Sequence, residues 1–139
     1  MSFNVLIVDD SISMRAVIKK IILISGFKMG QCVEAANGKE ALKALEDNWM
    51  DVIVSDINMP EMNGFELLQS LKEDDFLKHI PVILISTEGS KERMRDAFNL
   101  GAKGFIKKPF TPEAVKQILC EVIGESNEED TGDTEVFDF

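Results

Sequence analysis

The sequence predicts an α/β domain with a doubly wound, five-stranded parallel sheet and five helices. Short apolar runs typical of buried strands alternate five times with segments of helical period. The 139 residues are 45% hydrophobic, which is enough for one domain with its own core. Charged residues directly follow three of the apolar runs, and open parallel sheets bind ligands at the carboxyl ends of their strands.

The first strand, Phe3–Val8, leads into a helix that begins after a Ser11 N-cap and runs to about Ser25. Gly26 is the predicted stop signal for this helix. Its apolar face recurs at helical spacing and comprises Met14, Val17, Ile18, Ile21 and Ile22. A shorter second strand is predicted near Gln31–Ala35.

The second and third helices both show a capping-box spacing at their starts. Asn37 is followed three residues later by Glu40, and Asn63 by Glu66. The third strand, Asp51–Ser55, lies between these two helices. Their apolar positions are Ala41, Leu42 and Leu45 in the second helix, and Phe65, Leu67, Leu68 and Leu71 in the third.

The fourth strand, Val82–Ser86, begins after Pro81. Ser90 is the predicted N-cap of a fourth helix that ends at Gly101 and is the most polar of the five. A fifth strand follows at Lys103–Ile106. The fifth helix is predicted from the run Thr111-Pro112-Glu113, which combines a cap, a proline at the first helical position and an acid near the positive end of the helix dipole.

Composition divides the chain into a folded domain, residues 1–124, and an acidic tail, residues 125–139. The tail carries seven of the 25 acids and no base, so the other 18 acids stand against all 15 bases in residues 1–124. We expect the tail to be disordered, because large apolar residues return only at Val136, Phe137 and Phe139. It is either a solubilising segment or a docking peptide for a hydrophobic groove, on a partner or on the surface of the fourth helix, fifth strand and fifth helix. The bases that could attract it there are Lys91, Arg93, Arg95, Lys103 and Lys107.

Several functional classes are disfavoured by composition. No basic stripe is present, so we expect no direct nucleic-acid binding. No apolar run approaches the roughly 20 residues that span a bilayer, so we expect no membrane insertion. Cys32 and Cys120 lack metal or redox spacing and are interpreted as half-buried thiols of a reduced, cytoplasmic protein.

Charged residues that could bind a ligand follow three of the predicted strands, at one edge of the sheet. Asp9 and Asp10 follow the first strand, Asp56 the third and Lys108 the fifth. Crowded carboxylates repel one another unless a cation neutralises them, and a hard divalent ion prefers oxygen ligands. The pattern therefore predicts a Mg²⁺ site beside a lysine.

These residues and their surroundings resemble the receiver domain of two-component response regulators. The resemblance covers about residues 3–124 and includes single-domain chemotaxis regulators. Its motifs are VLIVDDS (5–11), DVIVSDINMPEMNGFELL (51–68), PVILIST (81–87) and GAKGFIKKPFT (101–111). It implies a flavodoxin-like sheet with strand order 2-1-3-4-5.

The resemblance also implies residue roles. Asp56 corresponds to the phosphoacceptor, Asp9 and Asp10 to metal-binding acids, and Asn58 to the residue whose backbone carbonyl is a further metal ligand. The phosphate-binding lysine falls on Lys108, and the family habitually has a cis bond between this lysine and the next residue, here Pro109. The switch hydroxyl falls on Ser86 and the aromatic rotamer switch on Phe105.

Two positions depart from the family pattern. Thr87 follows Ser86 where a small residue is usual, and its branched side chain is expected to narrow access to the phosphoryl group. Strand alternation favours Ser86 as the residue that faces the site. With Phe105 and no tyrosine in the chain, an aromatic switch must work by packing, without a hydroxyl.

The function implied by the resemblance is a phosphorelay switch, with chemotaxis as the favoured pathway. The expected partners are a histidine kinase as phosphodonor and a downstream target, such as a motor switch component or a phosphatase, and the expected state is a monomer. The domain would catalyse its own phosphoryl transfer and autodephosphorylation rather than act as a conventional enzyme. Two alternatives stay open: a Mg²⁺-dependent phosphohydrolase with an aspartate nucleophile, and a phosphorylation-independent adaptor.

Overall fold

A computed structural model describes residues 2–87 and 91–123 of the chain. Its strands are β1 (Phe3–Val8), β2 (Met29–Ala35), β3 (Val52–Asp56), β4 (Val82–Ser86) and β5 (Gly104–Lys107). Its helices are α1 (Ile12–Ser25), α2 (Gly38–Asp47), α3 (Gly64–Lys72), α4 (Lys91–Asn99) and α5 (Pro112–Ile123). Among the described residues, no helix combines the length and the apolar character needed to cross a bilayer.

The strands form one parallel sheet in the order β2-β1-β3-β4-β5, which confirms the predicted fold class. Because all strands run the same way, their carboxyl ends lie at one edge. The strand order reverses direction between β1 and β3, where Val8 pairs with Ser55. Open α/β sheets bind ligands at such a switch point, so the topology places the polar clusters where a site is expected.

Two apolar layers cover the faces of the sheet, because successive strand side chains point to opposite sides. Along β1, Leu6 and Val8 pack on the layer of α2, α3 and α4, whereas Val5 and Ile7 pack on the layer of α1 and α5. All four are buried. The central strands are therefore rigid supports for the loops that follow them.

The ends of the first three helices follow the sequence signals with one correction. The Ser11 hydroxyl accepts from the amide of Met14, and Gly26 ends α1 in the left-handed region at φ 88°, which suits glycine. The capping box of α3 is complete. At α2 only half of it forms: Asn37 caps the Glu40 amide, but the Glu40 carboxylate accepts from Ala36 instead of Asn37.

Three strand boundaries differ slightly from the predictions. β2 begins at Met29 because Phe3 pairs with that residue. β3 and β5 each lie one residue further along the chain, since Asp56 pairs with Ile85 and Lys107 with Ser86.

Helix predictions also need small corrections. α4 ends at Asn99, two residues before Gly101. Val17 is 45% exposed and is not part of the core of α1. The predicted Ser90 cap and the tail, residues 125–139, lie outside the described residues.

Candidate functional site

The carboxylates that follow β1 and β3 form one cluster. Asp9, Asp10 and Asp56 each place a carboxylate oxygen within 4.8 Å of the others. Asp9 is buried, Asp56 is half-buried and Asp10 is exposed, so the cluster opens to solvent on one side. The structure therefore brings together the three acids that the sequence predicted at this edge.

The backbone and side chain of Asp9 are held by several hydrogen bonds. Its amide donates to the carbonyl of Ala35 (3.0 Å), and its Oδ1 accepts from the amide of Ser11 (2.9 Å). Its carbonyl accepts from Nη1 of Arg15 (2.6 Å). The other carboxylate oxygen, Oδ2, is buried without a hydrogen bond among the described residues.

Lys108 enters the cluster from the segment that follows β5. Its Nζ lies 3.7 Å from Oδ1 of Asp56 and 3.9 Å from Oδ2 of Asp9, and the lysine side chain is only 16% exposed. Its amide donates to the carbonyl of Ser86 (2.8 Å). The Lys108-Pro109 bond is cis, which confirms the prediction. Lys107, in contrast, is exposed, as expected for a solvated base.

Burial sets the electrostatics of the acids. It raises the pKa of the Asp9 carboxyl above its usual range, although the Ser11 amide and the Lys108 ammonium partly offset this effect. Burial likewise raises the pKa of Asp56, where Lys108 acts in the opposite direction and the charge of Asp9 adds to the rise. A ligand that brings additional positive charge would therefore stabilise the ionised form of both carboxylates.

The donor set fits a hard divalent cation. The available ligand atoms are oxygens, three of them carboxylate oxygens within 4.8 Å of one another. The Asp9 Oδ2 atom has an ion-pair partner at 3.9 Å but no hydrogen bond in the described part of the chain. Buried polar atoms without a hydrogen bond call for an explanation. A cation at this position accounts for it.

The loop after Asp56 is fastened to α3. The amide of Gly64 donates to the carbonyl of Ile57 (2.8 Å). A Cβ atom on Gly64 would lie 2.5 Å from the Asp56 carbonyl oxygen, so only glycine allows this approach.

A second contact ties the same loop to α4. The Oδ1 atom of Asn58 accepts from Nη2 of Arg93 (3.1 Å), and this guanidinium lies 5.4 Å from the centre of the Phe65 ring. The predicted use of the Asn58 carbonyl as a metal ligand stays a prediction.

The predicted switch residues lie on the β4 and β5 side of the site. Ser86 is buried at the end of β4, and Thr87 is exposed. Thr87 lines an apolar cavity of about 320 Å³ together with Lys108 and residues of α1 and the β5–α5 connection. Phe105 is half-buried and packs against the layer of α2, α3 and α4. Their roles in switching stay predictions.

Three residues at the site were missed as site residues by sequence reasoning: Arg15, Glu34 and Arg93. Arg15 Nε donates to the Glu34 carboxylate (2.9 Å) while its Nη1 holds the Asp9 carbonyl. One sequence signal was available for Arg15, because a cation in the first turn of a helix opposes the helix dipole and needs a compensating contact. Arg93 likewise lies in the first turn of α4, but the signal identifies no partner for either arginine, because Glu34 and Asn58 are 19 and 35 positions away.

The sequence profile of the response regulator receiver domain matches residues 5–120. The chain belongs to the response regulator receiver family. It is 40% identical over 122 residues to chemotaxis protein CheY1 of Helicobacter pylori, which covers 87% of this chain and 97% of that protein. It is 38% identical over 121 residues to CheY-3 of Vibrio cholerae, covering 87% and 92% of the two chains.

Solved structures agree with this assignment of the receiver domain. CheY4 of Vibrio cholerae superposes with a TM-score of 0.78 at 36% identity, over 88% of this chain and 99% of that one. CheY in the CheX–CheY–BeF₃–Mg²⁺ complex of Borrelia burgdorferi gives 0.76 at 36% identity, over 86% and 88%. The receiver domain described here thus fits a phosphorelay response regulator of the chemotaxis type.

Proposed function

We propose that this receiver domain accepts a phosphoryl group on Asp56 from the phosphohistidine of a histidine kinase, with Mg²⁺ bound, and signals by phosphorylation-dependent protein binding. The observation that carries the proposal is the convergence of Asp9, Asp10, Asp56 and Lys108 at one sheet edge. A carboxylate nucleophile flanked by cation-binding groups is what phosphoryl transfer needs, because the transferred group carries charge on three oxygens.

In the forward step, a carboxylate oxygen of Asp56 bonds to phosphorus, and the phosphorus–nitrogen bond to the donor histidine breaks with its electron pair left on nitrogen. Lys108, 3.7 Å from Oδ1 of Asp56, is placed to pair with a phosphoryl oxygen. Mg²⁺ held by Asp9, Asp10 and Asp56, with the Asn58 carbonyl as a further ligand, would neutralise charge on the same group. The reset step is attack of water on phosphorus, which returns the Asp56 carboxylate and releases inorganic phosphate.

The output follows from a population shift between two arrangements of the site. New phosphoryl oxygens compete for Lys108 and for the Ser86 hydroxyl. The Arg93–Asn58 hydrogen bond gives α4 a direct link to the acceptor loop, so a shift in this loop changes the α4–β5–α5 surface. The half-buried Phe105 ring lies on that surface and would report the change by repacking.

The Borrelia burgdorferi CheY was captured with CheX, beryllofluoride and Mg²⁺, which supports a target that recognises the activated state. We extend this to the present chain as a cytoplasmic, monomeric regulator whose target is a motor switch component or a phosphatase. Pull-down with and without beryllofluoride and Mg²⁺ would identify it. A target captured equally well in both conditions would favour the adaptor alternative.

Phosphorylation of Asp56 is the decisive test. Incubation with a small phosphodonor and Mg²⁺ should give one modified carboxylate by intact-mass measurement, and Asp56→Asn should abolish it. Asp47→Asn, at an exposed acid of α2, is the matched control and should be modified normally. Steady turnover of many small phosphate esters would instead favour the phosphohydrolase, and unmodified wild-type protein would favour the adaptor.

The acidic tail is the second part of the proposal. We propose that residues 1–124 form the receiver domain and that residues 125–139 are an acidic tail, either a solubilising segment or a docking segment with Phe137 and Phe139 as anchors. Docking should weaken with salt, because exposed charges are screened beyond about 10 Å at 0.1 M. The test is truncation after Gly124, measured at low and high salt. If phosphorylation kinetics and target affinity stay unchanged, the tail does not dock and is only a solvated segment.

A further inference from the structure

Arg15 of α1 links the acid loop after β1 to Glu34 of β2, in addition to the hydrogen bond from the Asp9 amide to the Ala35 carbonyl. We infer that Arg15 is a positioning residue that holds the Asp9–Asp10 loop in the geometry required for Mg²⁺, with Glu34 as its anchor. This inference rests on the proposed metal site and deepens it. Arg15 lies in α1 and bonds to the backbone carbonyl of Asp9, so it leaves the carboxylate oxygens of the acids accessible as ligands.

The geometry of Arg15 is that of a two-sided clamp. Nη1 donates to the Asp9 carbonyl at 2.6 Å, and Nε donates to Oε1 of Glu34 at 2.9 Å. The Arg15 side chain is 13% exposed and the Glu34 side chain 37%, so the bond to the Asp9 carbonyl is partly buried and the bond to Glu34 lies at the surface. Glu34 lies in β2 and pairs in register with Ile7 of β1, so the arginine is anchored to the rigid part of the sheet.

The clamp completes the restraint of Asp9. The Asp9 amide is already bonded to Ala35 and one carboxylate oxygen to the Ser11 amide. With the carbonyl held by Arg15, Oδ2 is the Asp9 acceptor that has no hydrogen bond within residues 2–87 and 91–123, and it faces the Lys108 ammonium at 3.9 Å. Pre-organised ligands bind a metal more tightly, because less conformational freedom is lost on binding.

The clamp and the charge of Arg15 have opposite effects on metal affinity. A guanidinium near Asp9 repels a divalent cation, so a purely electrostatic role predicts tighter Mg²⁺ binding when Arg15 is removed. A positioning role predicts weaker binding, because the loop loses its fixed geometry. The sign of the change therefore separates the two.

The experiment is calorimetric titration of unphosphorylated full-length protein with Mg²⁺. Arg15→Met should weaken affinity by about tenfold, within the range found when groups that orient metal ligands are removed. Arg15→Lys keeps the positive charge but loses the planar guanidinium that donates in two directions, so it should also weaken Mg²⁺ affinity. Lys20→Met, which removes an exposed charge from the same helix, is the control and should change affinity by less than about twofold.

Amide exchange in the metal-free protein provides a readout without Mg²⁺. Exchange at Asp10 and Ser11 should accelerate in Arg15→Met and stay unchanged in Lys20→Met. Glu34→Gln should weaken Mg²⁺ binding in the wild-type background and have little effect in Arg15→Met, because the two residues act as one unit.

The outcomes distinguish the clamp from the metal site itself. Wild-type protein that binds Mg²⁺, combined with Arg15 variants of unchanged or higher affinity, would overturn the clamp and leave the proposed function standing. If wild-type protein fails to bind Mg²⁺, the metal part of the proposed function fails, and the clamp with it. Should Arg15→Met not fold, Arg15→Lys carries the same test.

Discussion

Replacing Lys108 by methionine should increase the affinity of the acid cluster for Mg²⁺. The ammonium of Lys108 pairs with Asp56 at 3.7 Å and with Asp9 at 3.9 Å. Mg²⁺ needs the same carboxylates, so the lysine and the metal compete for negative charge. Methionine keeps the length and apolar character of the lysine stem, which limits the change in packing.

The size of the effect follows from the two distances. Each pair is worth about 4 kcal/mol at an effective dielectric constant of 20. Desolvation and water at the open side of the cluster cancel much of this attraction. Lys108 should therefore weaken Mg²⁺ binding by about 1.5–3 kcal/mol. That range corresponds to an Mg²⁺ complex that is about ten- to 150-fold tighter.

Calorimetric titration with Mg²⁺ at constant ionic strength measures the change directly. Lys107→Met is the matched control, because Lys107 is adjacent in sequence but exposed. Affinity that is unchanged or lower in Lys108→Met would refute the idea that the lysine competes with the metal. The same variant should lose the dependence of target binding on phosphorylation, since its ammonium is the proposed partner of the phosphoryl group.

Three further predictions follow from the site. Asp10→Asn should cost more Mg²⁺ affinity than Asp9→Asn, because we expect Asp10 to ligate directly and Asp9 largely through water; equal losses by titration would contradict this. Burial raises the pKa of Asp56 above 3.8, so the folded state retains a proton that the unfolded state has lost, and metal-free stability should fall as pH rises from about 4 through the raised pKa. Asp56→Asn removes this contribution and should be more stable than wild type at pH 7 in EDTA. Urea unfolding curves of the two proteins that coincide at every pH would show that the ionised Asp56 carboxylate does not destabilise the folded state. Gly64→Ala should destabilise the domain by about 1–3 kcal/mol, because the new Cβ would meet the Asp56 carbonyl at 2.5 Å. Lys72→Ala on the same helix should stay within about 0.5 kcal/mol in urea unfolding, and similar losses in both variants would argue against a specific clash.

Local signals in the sequence were sufficient for most of the secondary structure. Caps and stops act within a few residues, so Ser11 and Gly26 predicted α1, and the Asn63–Glu66 spacing predicted α3. The Asn37–Glu40 spacing was interpreted in the same way, but half of that capping box was wrong, because the Glu40 carboxylate accepts from the Ala36 amide. Strand ends shifted by a residue or two because pairing with a neighbouring strand decides them.

Short apolar runs that alternate with segments of helical period determined the fold class, and polar residues after the strands determined which edge carries the acids. The individual roles of Asp56, Lys108 and Ser86 came from the resemblance to receiver domains, because a single acid or lysine has many structural uses. Only the tertiary structure decided which distant groups hold the site in place. Arg15 meets Glu34 across 19 positions, and Arg93 meets Asn58 across 35. Such contacts depend on how helices pack over the sheet, and side-chain packing between distant segments leaves no periodic signal in the chain.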